Sequence, residues 1–544
     1  MSKLILNNVV SQGTLVTAAS TLNNNSSSTV TAIENTLSRD GTSPNYMNSE
    51  LDMNSNEIIN LGSPSTANSA VRLSDLNNTI FGPSGPVLYA AVFSGDTAGD
   101  KIAAAIAALP STGGIVDARG LSSGGVIPGF TISKNNVQIL GPVGSFNVTG
   151  TINIYNPTGI SSVSWLGCGS SSTGKGTNFT WRGDTTSPMF RIRGCRDSSF
   201  KDFIINSSIN FPLAEGIRLE TATGTTSTNR HFQNITMNGT NSASAGLTKG
   251  FRWCIGDDTS DGAGGDVNND LDGIYDCIVE NFFNAAYSIE HSQSKTHTFI
   301  NSTFLSGKRG VSTTQATNSA NNSGSFRWYG GGGGSCSIAD FDIGNPDDVV
   351  SIIGSNTEGS SRLLLTGGPS SGLEPINIIG CRWAANNINA DDRVIWFKFR
   401  GNINLLGNIF QSPAAGHSPA FFISNGGLAS RSTAIGNIIT WNSATASSNP
   451  FLGDGPCWET VGNMIVDNSN NQFVLPTLFP NNVVTNSIRG TAVTFANRPS
   501  TAVEGMLVSF TDSTTAIWGA TIAGTGSNHV LGYYNGTNWT VAAS

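Results

Sequence analysis

The chain has 544 residues, more than one compact domain usually holds, so either several domains or one long repetitive one is expected. Charged residues are 12%, against about 25% in ordinary globular proteins, while hydrophobic residues are 38%, enough for a core and too many for wholesale disorder. A net charge of −8 with no basic run argues against nucleic acid, and no window approaches the roughly 18 apolar residues of a membrane-spanning helix.

The polarity that charge does not supply comes from Ser, Thr and Asn, which together with 64 Gly suit short strands joined by tight turns. Seven cysteines stand singly, without a CxxC pair. That pattern is neither a disulfide framework nor a zinc site, and small buried hydrophobes are expected instead. The N-terminus lacks the basic and apolar stretches of a signal peptide.

In chain order, Thr21 to Leu37 opens on capping residues and carries Val30, Ile33 and Leu37 at helical spacing, predicting a short helix. The following run contains Leu37 to Thr42 (LSRDGT), Leu51 to Asn54 (LDMN), Ile58 to Leu61 (IINL), then Val71-Arg72-Leu73 ahead of Asp75-Leu76. These spaced clusters resemble the N-terminal attachment segments of bacteriophage tail fibres and tail spikes. The resemblance implies docking to the phage tail or to an adaptor protein, and no chemistry. A Pro/Gly-rich linker, Phe81 to Pro86, comes next.

Asp100 to Leu109 is Ala-rich, opened by Asp and closed by Pro110, and predicts a second helix. Gly113-Gly114 make a turn and Ile115 to Ala118 start a strand. This entry resembles the start of the pectate-lyase-type β-helix domains of tail spikes, in which the helix caps the open end of a solenoid. Short apolar strands then recur, beginning at Val137, Phe200, Phe232, Ile274, Thr296, Val349, Ile376, Ile403, Thr433 and Glu459. An apolar-Gly-(Asn/Ser/Cys)-x-apolar unit repeats at Gly354, Gly380, Gly407, Gly436 and Gly462, at spacings of 26, 27, 29 and 26 residues. That period lies in the solenoid range, and neither a leucine-rich frame nor amphipathic helices accompany it. About 26 residues with two or three short strands make one coil, and about 14 coils at ~4.8 Å would span roughly 65 Å.

From Thr491 to Ser544 the repeat breaks. Glu504 to Val508 and Tyr533 to Trp539 read as strands, and Asn535-Gly536 is a type I′ hairpin signal. An end cap or trimer clamp is expected there, with glycan contact through Tyr534 and Trp539 as the alternative. The fold class is therefore all-β: a right-handed single-stranded parallel β-helix, with a helical N-terminal attachment segment and a small β-rich C-terminal module. The expected boundaries are 1–86, 87–487 and 488–544.

Glycan cleavage on such a scaffold needs carboxylates close together for hydrolysis, or a base and an anion stabiliser for elimination. The densest acidic stretch holds Asp257, Asp258, Asp261, Asp266, Asp270, Asp272, Asp276 and Glu280. Asp257-Asp258 resembles the paired aspartates of polygalacturonase-type β-helices, although no Gly-His-Gly follows. Asp257, Asp258 and Glu280 are the catalytic candidates. Asp266, Asn268, Asp270 and Asp272 space oxygen ligands as in Ca²⁺ loops, with Gly273 two places later than an EF-hand requires. No cofactor is required; a structural Ca²⁺ is the one metal this pattern suggests. Glu290-His291 with His297, the pair Asp340 and Asp342 with Asp347-Asp348, and the turn Asp391-Asp392-Arg393 are thinner candidates. Gly330 to Gly334 lacks the Lys-Ser/Thr of a phosphate loop. Trp328, Tyr329, Trp383 and Trp396, and with them Trp441, are candidate glycan platforms or, equally, core.

The tail-spike resemblance implies a virion protein made in the bacterial host, a homotrimer, and a bacterial surface polysaccharide as partner. Membrane insertion and nucleic-acid binding are not expected. Cleavage of that polysaccharide, adhesion without cleavage and a purely structural fibre remain open on the residues alone.

Overall fold

The computed structural model describes residues 15–34, 87–169, 176–222, 225–240, 246–254, 256, 268–291, 294–313, 325–344, 348–366, 375–384, 395–397, 403–412, 422–424, 432–441, 451–453, 458–466, 472–474 and 492–544. Backbone packing separates two units, Met1–Leu76 and Asn77–Ser544. In the first, one helix spans Leu15–Glu34, starting a turn and a half before the expected Thr21. The attachment run from Ser38 onward lies outside the described residues.

The second unit opens with the strand Val87–Tyr89 and a helix over Ala98–Ala108. The helix begins two residues before Asp100 because Thr97, not Asp100, is its N-cap. Thr97 Oγ1 accepts the Asp100 N–H and the Asp100 carboxylate accepts the Thr97 N–H, each at 3.1 Å, a reciprocal capping box. At the other end Lys134 Nζ donates to the Ala107 carbonyl at 2.7 Å and to the Leu109 carbonyl, placing a cation where the helix dipole is negative. Ile102, Ala105 and Ile106 are buried against the first coils, so the helix covers apolar side chains that end coils would otherwise leave to water.

Among the described residues the strands behind it form one 36-stranded assembly, parallel except at its last pairing, wound as a right-handed parallel β-helix, the hand that parallel crossovers take. Three faces repeat. The first sheet runs from Val87–Tyr89 through Gly114–Asp117 and Val137–Leu140 to Trp458–Val461. The second runs from Val126–Ile127 through Gly144–Val148 to Met464–Val466. The third starts at Phe130–Ile132 and passes Pro188–Arg196, Leu213–Glu220 and Leu247–Cys254 on its way to Phe451–Gly453. Met464–Val466 finally pairs antiparallel with Gln472–Val474, ending the parallel stack.

From Asp202 onward, each described coil turns from first to second sheet through one residue in the left-handed region. The position is held by Asp202, Asn234, Asp276 and Asn301, then by Gly330, Gly354, Gly380, Gly407, Gly436 and Gly462, all with φ between 51° and 66°. At the last five, an added Cβ would meet nothing within 4 Å, so backbone conformation alone selects glycine. The residue after the glycine points inward. Asn408, Asn437 and Asn463 are fully buried there and stack as an amide ladder. Asn437 Oδ1 accepts Asn408 N and Nδ2 at 2.9 Å, and Asn437 Nδ2 donates to Asn463 Oδ1 at 2.8 Å and to the Leu405 carbonyl at 2.9 Å. The inward residues otherwise form one core, with Trp165, Trp181, Trp253, Trp328 and Trp383 among its largest members. Of the described cysteines only Cys168 is exposed; all are free thiols, and burial pushes Cys195 up to about 11.

The C-terminal residues form a three-stranded antiparallel sheet, Leu507–Ser513, Asn528–Tyr534 and Trp539–Ala543, over a core of Phe510, Ile522, Val530, Trp539 and Val541. The hairpin at Asn535-Gly536 is present, but the type I′ turn is not. Of the two residues only Gly536 has a positive φ. The loop is instead closed by Asn535, whose Oδ1 accepts the N–H of Thr537 and of Asn538 at 3.0 and 2.8 Å. Trp539 is buried, which removes it as a glycan platform.

Gly407→Ala should lower stability by about 1–2 kcal/mol through left-handed strain, and Gly407→Asn by clearly less. Asn437→Ala should cost about 2–3 kcal/mol because it strands amide groups of Asn408 and Asn463. Thermal and urea midpoints check both; equal losses for the Ala and Asn variants at Gly407 would contradict the conformational cause.

Candidate functional site

Along the third sheet, Ile192, Leu219, Trp253 and Ile289 point into the core. Strand alternation therefore turns their neighbours outward. The register stacks Arg191 on Arg218, Arg218 on Arg252, and Arg252 on Ser288. Three guanidinium groups one coil apart, about 4.8 Å, repel one another. Three carboxylates interleave with them. Glu220 takes Arg191 Nε at 2.8 Å and faces Arg218 Nη1 at 3.6 Å. Glu215 takes Arg218 Nη2 at 2.6 Å and Arg252 Nη1 at 2.9 Å. Glu290 takes Arg252 Nε and Nη2 at 2.9 Å, Ser288 Oγ at 2.6 Å and the Lys249 ammonium. The glutamates are 4–6% exposed, whereas Arg191, Arg218 and Arg252 keep 33%, 19% and 24% of their side-chain surface. Buried acids thus fix a row of partly exposed cations. Farther along the same sheet Arg309 pairs with Asp342. At its near edge the Arg193 guanidinium lies 4.6 Å over the Tyr155 ring.

Most of these residues did not stand out in the sequence. The available signal was the alternation of charge with apolar residues in LAEGIRLE and LTKGFRWC, in a chain otherwise poor in charge. The expected acid–base patch of Glu290, His291 and His297 does not form, since Glu290 belongs to the outer row and His297 to the interior.

The predicted catalytic and metal residues are distributed as follows. Asp257 and Asp258 lie outside the described residues, as does Asp266. The residue before them, Gly256, sits with its N–H on Thr221 Oγ1 at 3.3 Å, and a Cβ there would lie 3.3 Å from Arg193 Nε. Glu280 stands on the second sheet, between Asn238 and Leu305 in register, and does not join the third-sheet carboxylates. Asn268 and Asp270 are half-buried. Burial, and then the neighbouring Asp272 charge, raise Asp270 to about 6.

Asp272 is corrected from the expected Ca²⁺ ligand to the anion of a buried ion pair. Its Oδ1 accepts Arg230 N and Nε at 2.9 Å, and its Oδ2 accepts Arg230 Nη2 at 2.6 Å and Trp253 Nε1 at 2.7 Å. The guanidinium supplies the positive charge that a cation would have brought. His297 lies beside it, with Nδ1 3.8 Å from Asp272 and Nε2 2.9 Å from Ser294 Oγ. Ser294, His297 and Asp272 repeat the contact order of a nucleophilic triad, but all three are at most 1% exposed and no substrate can reach them. Among the described residues no group of three or more His, Cys, Asp and Glu is placed to hold a metal.

Two of the four predicted platforms are also corrected. Trp328 and Trp383 are fully buried, because in these four-residue and three-residue strands they occupy the inward phase. Tyr329, the next residue, faces out and is 36% exposed. Trp396 falls in the strand Ile395–Phe397, of which only the backbone is described. Asp340 is sealed in the interior, where Ser360 Oγ donates to its Oδ1 at 2.5 Å, while Asp342 is the partner of Arg309, so the two do not line a groove.

No protein-family model matches the chain, and no curated protein matches its sequence. Solved structures do. ORF18 of Geobacillus virus E2 is 13% identical, over 70% of this chain and 61% of that protein, with a TM-score of 0.30. This chain thus spans about three fifths of the viral protein. The gp42 tailspike of Acinetobacter phage vb_AbaP_AS12 is 12% identical over 84% of this chain and 78% of its own, with a TM-score of 0.32. The A-module of Azotobacter vinelandii mannuronan C-5 epimerase AlgE6 is 12% identical over 68% and 89%, with a TM-score of 0.33.

Two buried groups set a pH dependence of opposite sign. Burial raises Asp340 to about 7, so the native state keeps a proton that the unfolded chain releases near 4; this contribution is full below pH 4 and is lost as pH rises to 7. Burial lowers His297 to about 4, so its contribution is full above 6.5 and is lost as pH falls to 4. Asp340→Asn should remove the loss of thermal midpoint that Asp340 contributes between about pH 4 and 7, so that the variant's midpoint rises relative to the wild type's across that range, with the contributions of Asp270 (about 6) and His297 (about 4) unchanged. An unchanged alkaline decline in that variant would show that another group causes it.

Proposed function

We propose that this chain is the body of a bacteriophage tail spike or fibre that holds a bacterial surface polysaccharide along its third sheet. The observation that carries this reading is the row of Arg191, Arg218 and Arg252, one per coil and locked by buried Glu215, Glu220 and Glu290. A linear polymer laid along the solenoid meets a preorganised donor at each step of about 4.8 Å. Planar guanidinium groups suit hydroxyl and carboxylate oxygens, and because the acids already hold them, little side-chain entropy is lost on binding. Tail attachment through the segment from Leu37 to Leu76, location in the virion and assembly as a homotrimer follow from the family resemblance of that segment.

Cleavage of the bound polymer is the second reading, favoured by the position of Gly256. It brings the chain to Thr221 and Arg193 at the edge of the cationic row immediately before Asp257 and Asp258. In this reading those aspartates supply the acid and base, or the nucleophile, of the reaction.

The test uses purified full-length protein and polysaccharide extracted from the host. Arg252→Lys retains the charge but loses the two-sided contact with Glu215 and Glu290, and should weaken polysaccharide binding by about 10-fold, from one charge-assisted hydrogen bond. Its thermal midpoint must stay near that of the wild type for the comparison to hold. Unchanged affinity would remove the third sheet as the binding face. Polymer shortening with new reducing ends, lost in Asp257→Asn/Asp258→Asn, would establish cleavage; an intact polymer would leave adhesion alone.

A further inference from the structure

The third sheet carries more positive charge than its acids cancel. The strands Pro188–Arg196, Leu213–Glu220 and Leu247–Cys254 hold six of the chain's 28 Lys and Arg but only two of its 36 Asp and Glu, in a chain of net charge −8. Glu290, just past the strand Phe282–Ile289, is the third acid of the group. Three carboxylates therefore face six cations. A second basic column runs beside the arginine row, with Lys249 next to Ala285 and Ala285 next to Arg309. There alanine keeps the two cations two coils apart. Lys308, adjoining Arg309, lies 3.8 Å over the Phe283 ring.

The hydrogen bonds show what this face offers a ligand. Glu290 accepts from Arg252 Nε and Nη2, from Ser288 Oγ and from Lys249 Nζ, two donors on each oxygen, which fills a carboxylate. Glu215 accepts from Arg218 Nε and Nη2 and from Arg252 Nη1. Arg252 thus spends one N–H from each of its three nitrogens on these acids and keeps one on each Nη. With the acids buried and the arginines partly exposed, the face presents donors and positive charge, and almost no acceptor.

We infer that the polysaccharide held on this face is acidic, with carboxylate groups on its sugar units set against the arginine row. A sugar hydroxyl donates as well as accepts, and its O–H finds the oxygens of Glu290 and Glu215 already taken. A carboxylate only accepts, and its two oxygens match the planar guanidinium fork. Counter-ion duty explains the acids, but not the surplus of cations over them. That surplus costs repulsion unless a ligand supplies the missing negative charge. The inference rests on the reading of the third sheet as the glycan-binding face and narrows it to one substrate class.

Calorimetric titration with extracted host polysaccharide, before and after chemical reduction of its carboxyl groups to primary alcohols, tests this on the unaltered full-length protein. The reduced polymer is expected to bind at least about 10-fold more weakly, the worth of one charge-assisted hydrogen bond. Binding of the native polymer is expected to weaken about 10-fold between about 0.05 and 0.5 M NaCl, as screening shortens to a few ångströms. Arg191→Gln changes the most exposed of the three arginines and leaves Glu220 beside Arg218. It should weaken binding of the native polymer about 5-fold and leave that of the reduced polymer unchanged, whereas a merely structural loss would weaken both alike. Equal affinity for the two polymers, binding indifferent to salt, or tight binding of an extracted polymer that contains no carboxylate would each overturn the acidic class and leave the glycan-binding reading standing. A native polymer that does not bind at all would remove that reading, and this inference with it.

Discussion

A single coil of this solenoid cannot bury its own inward side chains, and stacking works only if every coil bends at the same point. From Asp202 onward that bend depends on one left-handed residue between the first and second sheets. Asp202, Asn234, Asp276 and Asn301 fill it in the earlier coils, and glycine fills it from Gly330 onward. Asp and Asn tolerate the conformation because their side chains bond locally or to the neighbouring coil, as Asn234 Nδ2 does to Asp202 Oδ1 at 2.7 Å. Once the bend is fixed, inward and outward positions are fixed as well. The aromatic core and the ladder of Asn408, Asn437 and Asn463 depend on that phase.

Stacking has a second consequence, on the outer surface. A parallel register puts each outward residue on its counterpart one coil away, so any chemistry placed there becomes a row. Rows of like charge repel, and the third sheet answers with acids between the arginines. Rows of amide are self-satisfying, as Asn377, Asn404 and Thr433 show. Rows of apolar residues are exposed unless something covers them. The same geometry thus produces a charged row, a neutral row and an apolar row.

The parts of the fold that show in the sequence are those with local causes. The helix over Ala98–Ala108 announces itself through Ala and a following proline, and the coil period through glycines required by backbone conformation. The misreadings have non-local causes. Trp328 and Trp383 could face either way until the turn sets the strand phase, and a four-residue strand holds too few alternations to decide it. Asp272 reads as a metal ligand beside Asp270, yet its partner Arg230 is 42 residues away. Glu215 and Glu290 meet at Arg252 only through coil register, with Arg252 38 residues before one and 37 after the other. Composition is silent on such pairings.

The carboxylates show why the acidic stretch alone could not identify chemistry. An acid on a β-helix is defined by what the adjacent coils place against it. Asp272 is neutralised by an arginine, Asp340 is sealed with hydroxyl neighbours, Glu215 and Glu220 are structural counter-ions, and Glu280 looks outward from another sheet. Each assignment follows from stacking and none from spacing along the chain. The described carboxylates are thus accounted for by the coils that stack against them, and not by their spacing along the chain.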